Sequence, residues 1–150
     1  MGLTYADVTL VNSIDAGMAR RGAIANTDIR QMKVSALVDS GAYLLTIDES
    51  LHAQLGLDVL ETREIELADG SRSEYEIVGP VDLFFENRRT TCCALVLPGA
   101  TEVLLVAIPL EDLDVMIEPK SQQLIVNPAR PYLAGTKVKW ISIWLTSIFE

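Results

Sequence analysis

Hydrophobic and polar positions alternate over most of the first hundred residues, in short runs broken by turn residues. Tyr5 to Val11, with Tyr5, Val8 and Leu10 apolar, reads as a first strand. Two apolar runs follow, Val34 to Val38 and Tyr43 to Ile47, separated only by Asp39-Ser40-Gly41-Ala42. Between the first strand and Met32 the chain reads as a long surface loop, with one helical turn at Thr27 to Arg30. Thr46 with Glu49 three residues on has the form of a capping box, predicting a short helix that ends at Gly56. Arg63 to Ile77 predicts a hairpin about Asp69-Gly70-Ser71. A three-residue loop there pairs Ile65 with Tyr75 and keeps apolar residues on one face, whereas a two-residue loop pairs Ile65 with Glu74.

Gly79-Pro80 is expected to break the chain before the alternating Val81, Leu83 and Phe85. A strand from Thr90 to Leu97 and a buried strand from Glu102 to Ile108 come next. Pro109 then opens a helix running to about Leu113. Val115 to Ile117 and Leu124 to Val126 form a last hairpin. Many short strands and two short helices make the class mostly β.

Composition narrows the function more than the fold. A chain of 150 residues with 49% hydrophobic content suffices for one domain with a core. The net charge of -9 speaks against a nucleic-acid partner, since phosphates select clusters of Lys and Arg. Arg20-Arg21 and Arg88-Arg89, the tightest basic groups, read as solvated turns. Cys92 and Cys93 are adjacent and point to opposite faces of a strand, which disfavours a mutual disulfide. Together with an N-terminus lacking a signal-peptide pattern, this gives a cytoplasmic location as the expectation. The run Trp140 to Phe149 is apolar or hydroxylic throughout and too short to span a bilayer. A membrane role is therefore not expected, and the run reads as an edge strand, an interfacial segment or a contact for a partner.

Few residues can do chemistry. The single histidine, His52, reads as a surface residue and leaves a Ser-His-Asp or multi-histidine zinc site hard to assemble. Glu111, Asp112 and Asp114 read as helix-terminal charge, and no glycine-rich phosphate loop is present. No metal or other cofactor is expected. Asp39 stands apart, a carboxylate in a small-residue turn between two apolar strands, where an idle charge is costly. By itself the motif reads equally as a tight turn, because Asp, Ser and Gly all favour turns.

The order of elements around it is more telling. Ala36-Leu37-Val38-Asp39-Ser40-Gly41-Ala42, then Leu67-Ala68-Asp69-Gly70, then Val103-Leu104-Leu105 through Asp114 resembles the retroviral-like (retropepsin-type) aspartic proteases in their bacterial single-domain form. The resemblance covers about residues 1–131 and leaves 132–150 as an apolar tail of unknown role. It implies a retropepsin-like closed β-barrel and a homodimer in which Asp39 of each subunit faces its copy across a two-fold axis. Two such carboxylates share a proton, activate a water and hydrolyse a peptide bond of a peptide or protein substrate.

Within that resemblance Ser40, Gly41 and Ala42 support the active-site loop, with Ser40 bonding across the dimer axis. Leu67, Ala68, Asp69 and Gly70 form a flap over a substrate bound as an added strand. Leu104, Leu105 and Val106 pack beside the site. Val106 stands where the family carries glycine, and a β-branched side chain there overpacks a close approach of backbones. This leaves a second reading open, a catalytically silent dimerisation or peptide-binding module on the same fold. A third is an unrelated small β-barrel in which Asp39 only makes a turn.

Overall fold

The computed structural model describes residues 2–42 and 44–136. The apolar tail run from Trp140, and Tyr43 in the second apolar run, lie outside them. Alternating sequence becomes strand wherever one face has a core to meet. The strands are β1 (Tyr5–Asn12), β2 (Gln31–Asp39), β3 (Leu45–Ile47), β4 (Asp58–Glu66), β5 (Arg72–Phe85), β6 (Arg88–Val96), β7 (Val103–Val106), β8 (Val115–Glu118) and β9 (Gln123–Val126). Three helices interrupt them, α1 (Ser13–Arg20), α2 (Glu49–Leu55) and α3 (Ala107–Leu113).

Strands pair in the order β1-β2-β7-β3-β6-β5, and β1 also pairs with β5, so these six close a barrel. Strand β4 hangs outside the ring on the first half of β5, while the second half of β5 pairs with β1. Leu10, Ala36, Leu45, Ile47, Val81, Leu83 and Leu105 fill the interior. The terminal hairpin, β8 with β9, forms as the sequence predicts.

Five details differ from the sequence reading, each for a physical reason. The expected loop after β1 contains helix α1, capped by Asn12, whose side chain accepts from the Asp15 amide. Its only buried residue is Asp15, while Ile14 and Met18 are exposed, so no apolar stripe announces it. Arg30 anchors it instead, with Nε and Nη2 on the Asp15 carboxylate at 2.8 and 2.9 Å.

Helix α2 is capped by Asp48, which accepts from Leu51 N at 2.8 Å. Thr46 lies inside β3 and turns its hydroxyl to the Leu44 carbonyl. Gly79-Pro80 does not break the chain: β5 passes through it with a register shift against β6 between Val78 and Val81.

The hairpin of β4 and β5 pairs Ile65 with Ser73, and Tyr75 faces Arg63. Its loop does have three residues, Ala68 to Gly70. Gly70 N bonds the Leu67 carbonyl, Leu67 N bonds the Ser71 carbonyl, and Gly70 takes φ +84. That is a type I turn with a glycine bulge. Nearly every residue of β4 is exposed, so no buried face imposes the register and the turn chemistry decides it.

The fifth difference is Arg88, expected in a solvated turn. Strand β6 starts two residues earlier than expected, and Arg88 points inward, 1% exposed.

Candidate active site

Asp39 is the last residue of β2. Its strand runs parallel to β7, with Leu37 opposite Leu104, Val38 opposite Leu105 and Asp39 opposite Val106. The turn that follows is organised by the carboxylate itself. Gly41 N donates to Asp39 Oδ1 at 3.0 Å, and a Cβ on Gly41 would sit 3.3 Å from that same oxygen. Glycine serves here by allowing close approach. Ala107 N, the first amide of α3, donates to the Ala42 carbonyl at 3.1 Å and ties the far side of the turn to the helix. Asp39 is half-buried, and Ser40 and Gly41 are exposed beside it.

The carboxylate opens onto a cleft of about 570 Å³. Leu44, Leu95, Leu97 and Leu104 give it an apolar lining, and Ile65, Leu67 and Ala68 of the hairpin enclose it from the other side. Three segments distant in sequence therefore meet at one surface. Of the residues singled out from sequence, Asp39, Gly41, Ala42, Leu67, Ala68 and Leu104 border this cleft. Ser40 sits on the exposed turn at its edge.

Asp69 and Gly70 do not border it but build the hairpin turn. Asp69 accepts from the Ser71 amide and hydroxyl at 2.8 and 2.6 Å, and these bonds hold its carboxyl below the usual carboxylate range. Leu105 points into the barrel, fully buried. Val106 is fully buried too, with an extended backbone (φ −120°, ψ 177°) that a β-branched residue adopts without strain. Nothing in the backbone at 106 calls for glycine.

Sequence reading did not place Leu44, Thr46, Ile65, Glu66, Leu95 and Leu97 at the site. Ile65 was within reach through the hairpin alternation. Leu44 lies two residues past Ala42 in the chain, whereas Leu95 and Leu97 arrive through the pairing of β3 with β6, which no local pattern announces.

The remaining candidates have structural employment. His52 Nε2 donates to the Leu57 carbonyl at 2.8 Å. Cys92 and Cys93 are free thiols, and burial pushes Cys92 up to about 12, which keeps it protonated and unreactive. Among the described residues, no group of three or more His, Cys, Asp or Glu side chains is disposed to hold a metal ion. No helix among them is long and apolar enough to cross a membrane.

A family model described as aspartyl protease matches residues 25–113, more than half of the 150-residue chain. The chain belongs to this aspartyl protease family. The matched stretch contains the Asp39 turn, the hairpin and β7 with α3. Among solved structures, the retroviral protease-like domain of Ddi1 from Leishmania major is similar at 18% identity, with a TM-score of 0.52. The alignment covers 85% of this chain and 91% of that one. EIAV protease, solved with the inhibitor HBY-793, is similar at 20% identity over 54% of this chain and 77% of its own, with a TM-score of 0.44. No curated protein matches closely enough to count as a relative. The likeness to the Ddi1 domain concerns the fold, and the fold of this aspartyl protease family member is retropepsin-like, with three α-helices among the described residues where the sequence predicts two.

Proposed function

We propose that this chain is a homodimeric aspartic endopeptidase in which two Asp39 carboxylates, one per subunit, hydrolyse a peptide bond. The observation that carries the reading is the Asp39 carboxylate at an apolar cleft, pinned by Gly41 N and faced by a hairpin tip. Among the described residues the cleft is bordered by one aspartate, Asp39, with Glu66 of the hairpin as the other acidic residue, and a second copy of the chain would supply the like partner of Asp39.

In the pair, one carboxylate is ionised and takes a proton from a water whose oxygen attacks the scissile carbonyl carbon. The other is protonated and hydrogen-bonds the carbonyl oxygen as negative charge develops there. Collapse of the tetrahedral intermediate breaks the C–N bond, and the leaving nitrogen receives a proton from the pair. The hairpin closes over the peptide and excludes water, and the peptide lies as an added strand across the cleft.

The test is cleavage of a mixed peptide library by the purified protein beside an Asp39→Asn variant, with sedimentation at micromolar concentration. Cleavage by a dimer, reduced to background in Asp39→Asn, is the expected result. Cleavage that survives the substitution overturns the reading.

Val106 motivates the second reading, a silent peptide-binding or dimerisation module, because it lies in register with Asp39 where the resembled family carries glycine. A silent parent whose Val106→Gly variant cleaves the library would favour it. An active parent that gains nothing from Val106→Gly fits the first reading and the unstrained backbone at that residue.

A further inference from the structure

Helix α3 has only seven residues, too few to hold its own conformation or placement. Both its ends are tied. At the front, Val106 is the register partner of Asp39 and Ala107 N holds the Ala42 carbonyl. At the back stands Asp114, in a left-handed conformation with φ +56°. Glycine takes that conformation freely, whereas other L-residues adopt it at a cost.

What the aspartate supplies is its carboxylate, on which a whole segment converges. Oδ1 accepts from Asn127 Nδ2 at 3.0 Å and Arg130 Nη2 at 2.8 Å, and Oδ2 accepts from Arg130 Nε at 2.5 Å and Gly135 N at 2.9 Å. The Asp114 carbonyl also accepts from Asn127 N at 3.1 Å. The segment 127–135 is in turn fastened to the turn between β5 and β6, through Asn87 Nδ2 on the Pro131 carbonyl and Arg88 Nη2 on the Arg130 carbonyl.

We propose that Asp114 is a positioning residue for the Asp39 turn: by locking the back of α3 to the segment 127–135, it fixes where the front of α3 holds the Ala42 carbonyl. The inference rests on the proteolytic reading above. A seven-residue helix is about 10 Å long, so a tilt about its middle moves its two ends by comparable amounts. Misplacing a catalytic group by about an ångström is enough to cost on the order of 100-fold in rate.

The experiment is Asp114→Gly, which removes the carboxylate and at the same time relieves the left-handed backbone. Arg130→Met serves as a second variant that keeps Asp114. Amide exchange and steady-state kinetics are read together. The expected result is a folded protein whose Ala107 amide exchanges about tenfold faster or more while the Leu10 and Leu83 amides keep their protection. Its kcat falls roughly 10- to 100-fold with KM within about twofold. Parent-like protection of Ala107 in both folded variants overturns the proposal. So does an unchanged kcat in an active enzyme. If the parent shows no cleavage dependent on Asp39, the proteolytic reading fails on its own, and the exchange at Ala107 still decides whether the latch exists.

Discussion

Replacing Arg88 with methionine is expected to stabilise the protein, against the usual direction of core substitutions. Arg88 is 1% exposed, and only its Nη2 has a partner, the Arg130 carbonyl. Its Nε and Nη1 have none among the described residues. The buried carboxylate of Asp82 is already engaged, accepting from Thr91 Oγ1 at 2.7 Å and lying 3.6 Å from Arg89 Nη2. The Arg88 guanidinium is left with that single bond among the described residues. It therefore carries an uncompensated desolvation cost of several kcal/mol, against one charge-assisted bond worth about 1.5–3 kcal/mol.

Methionine is of similar length and adapts to irregular space. The Arg130 carbonyl it releases belongs to an exposed residue and can turn to water. Exchanging a buried charge for a well-packed apolar side chain is neutral or stabilising by about 1–4 kcal/mol, and the missing partners put Arg88 inside that range, at roughly 2 kcal/mol. For a domain of this size that raises Tm by roughly 4–8 °C. Urea unfolding with an unchanged m-value is the measure, and Arg88→Ala is the control, since alanine removes the same charge but leaves a cavity. A methionine variant less stable than the parent by about 1 kcal/mol or more would refute the reasoning, because it would mean that the guanidinium is compensated in the folded protein.

Two further substitutions probe the clamp that holds α1. At Gly56, with φ +59°, an added Cβ would lie 1.9 Å from Arg30 Nη1, so Gly56→Ala forces both a left-handed alanine and a shift of the guanidinium off Asp15. A loss of about 1–2 kcal/mol from the left-handed alanine is expected in urea, and a neutral result would refute that strain. Asp15→Asn tests the same clamp through pH. The Arg30 guanidinium holds the Asp15 carboxyl below its ordinary value, so as pH falls the unfolded chain takes up the proton first. The stabilisation is complete above about pH 4 and disappears as pH drops through the folded value. The gap in urea midpoint between parent and Asp15→Asn should therefore be widest near neutrality and narrow below about pH 4, and a gap independent of pH would remove the ion pair as its cause.

The elements that the sequence reading placed correctly share a property: their patterns are set by immediate neighbours in the chain. The strands bordering the barrel show period-two alternation because one of their faces is buried, and the Asp39 turn declares itself because a carboxylate and glycine sit between apolar runs. Where burial is missing, the pattern loses its hold. The outer hairpin has little buried surface to choose its register, so it follows the Gly70 turn. Helix α1 buries a carboxylate rather than an apolar stripe, so periodicity passes over it.

The cleft lies at the far end of this scale. Val106 stands opposite Asp39 only because β7 inserts between β2 and β3, and Leu95 and Leu97 reach the cleft only because β6 runs parallel to β3. Those pairings are products of barrel closure. They also change what Val106 means. From sequence it is a side chain too large for a close approach of backbones. In the barrel it is a fully buried residue in relaxed extended geometry at the front of α3. On the proposed latch, control of the Asp39 turn lies with what holds α3 in place rather than with the volume of residue 106.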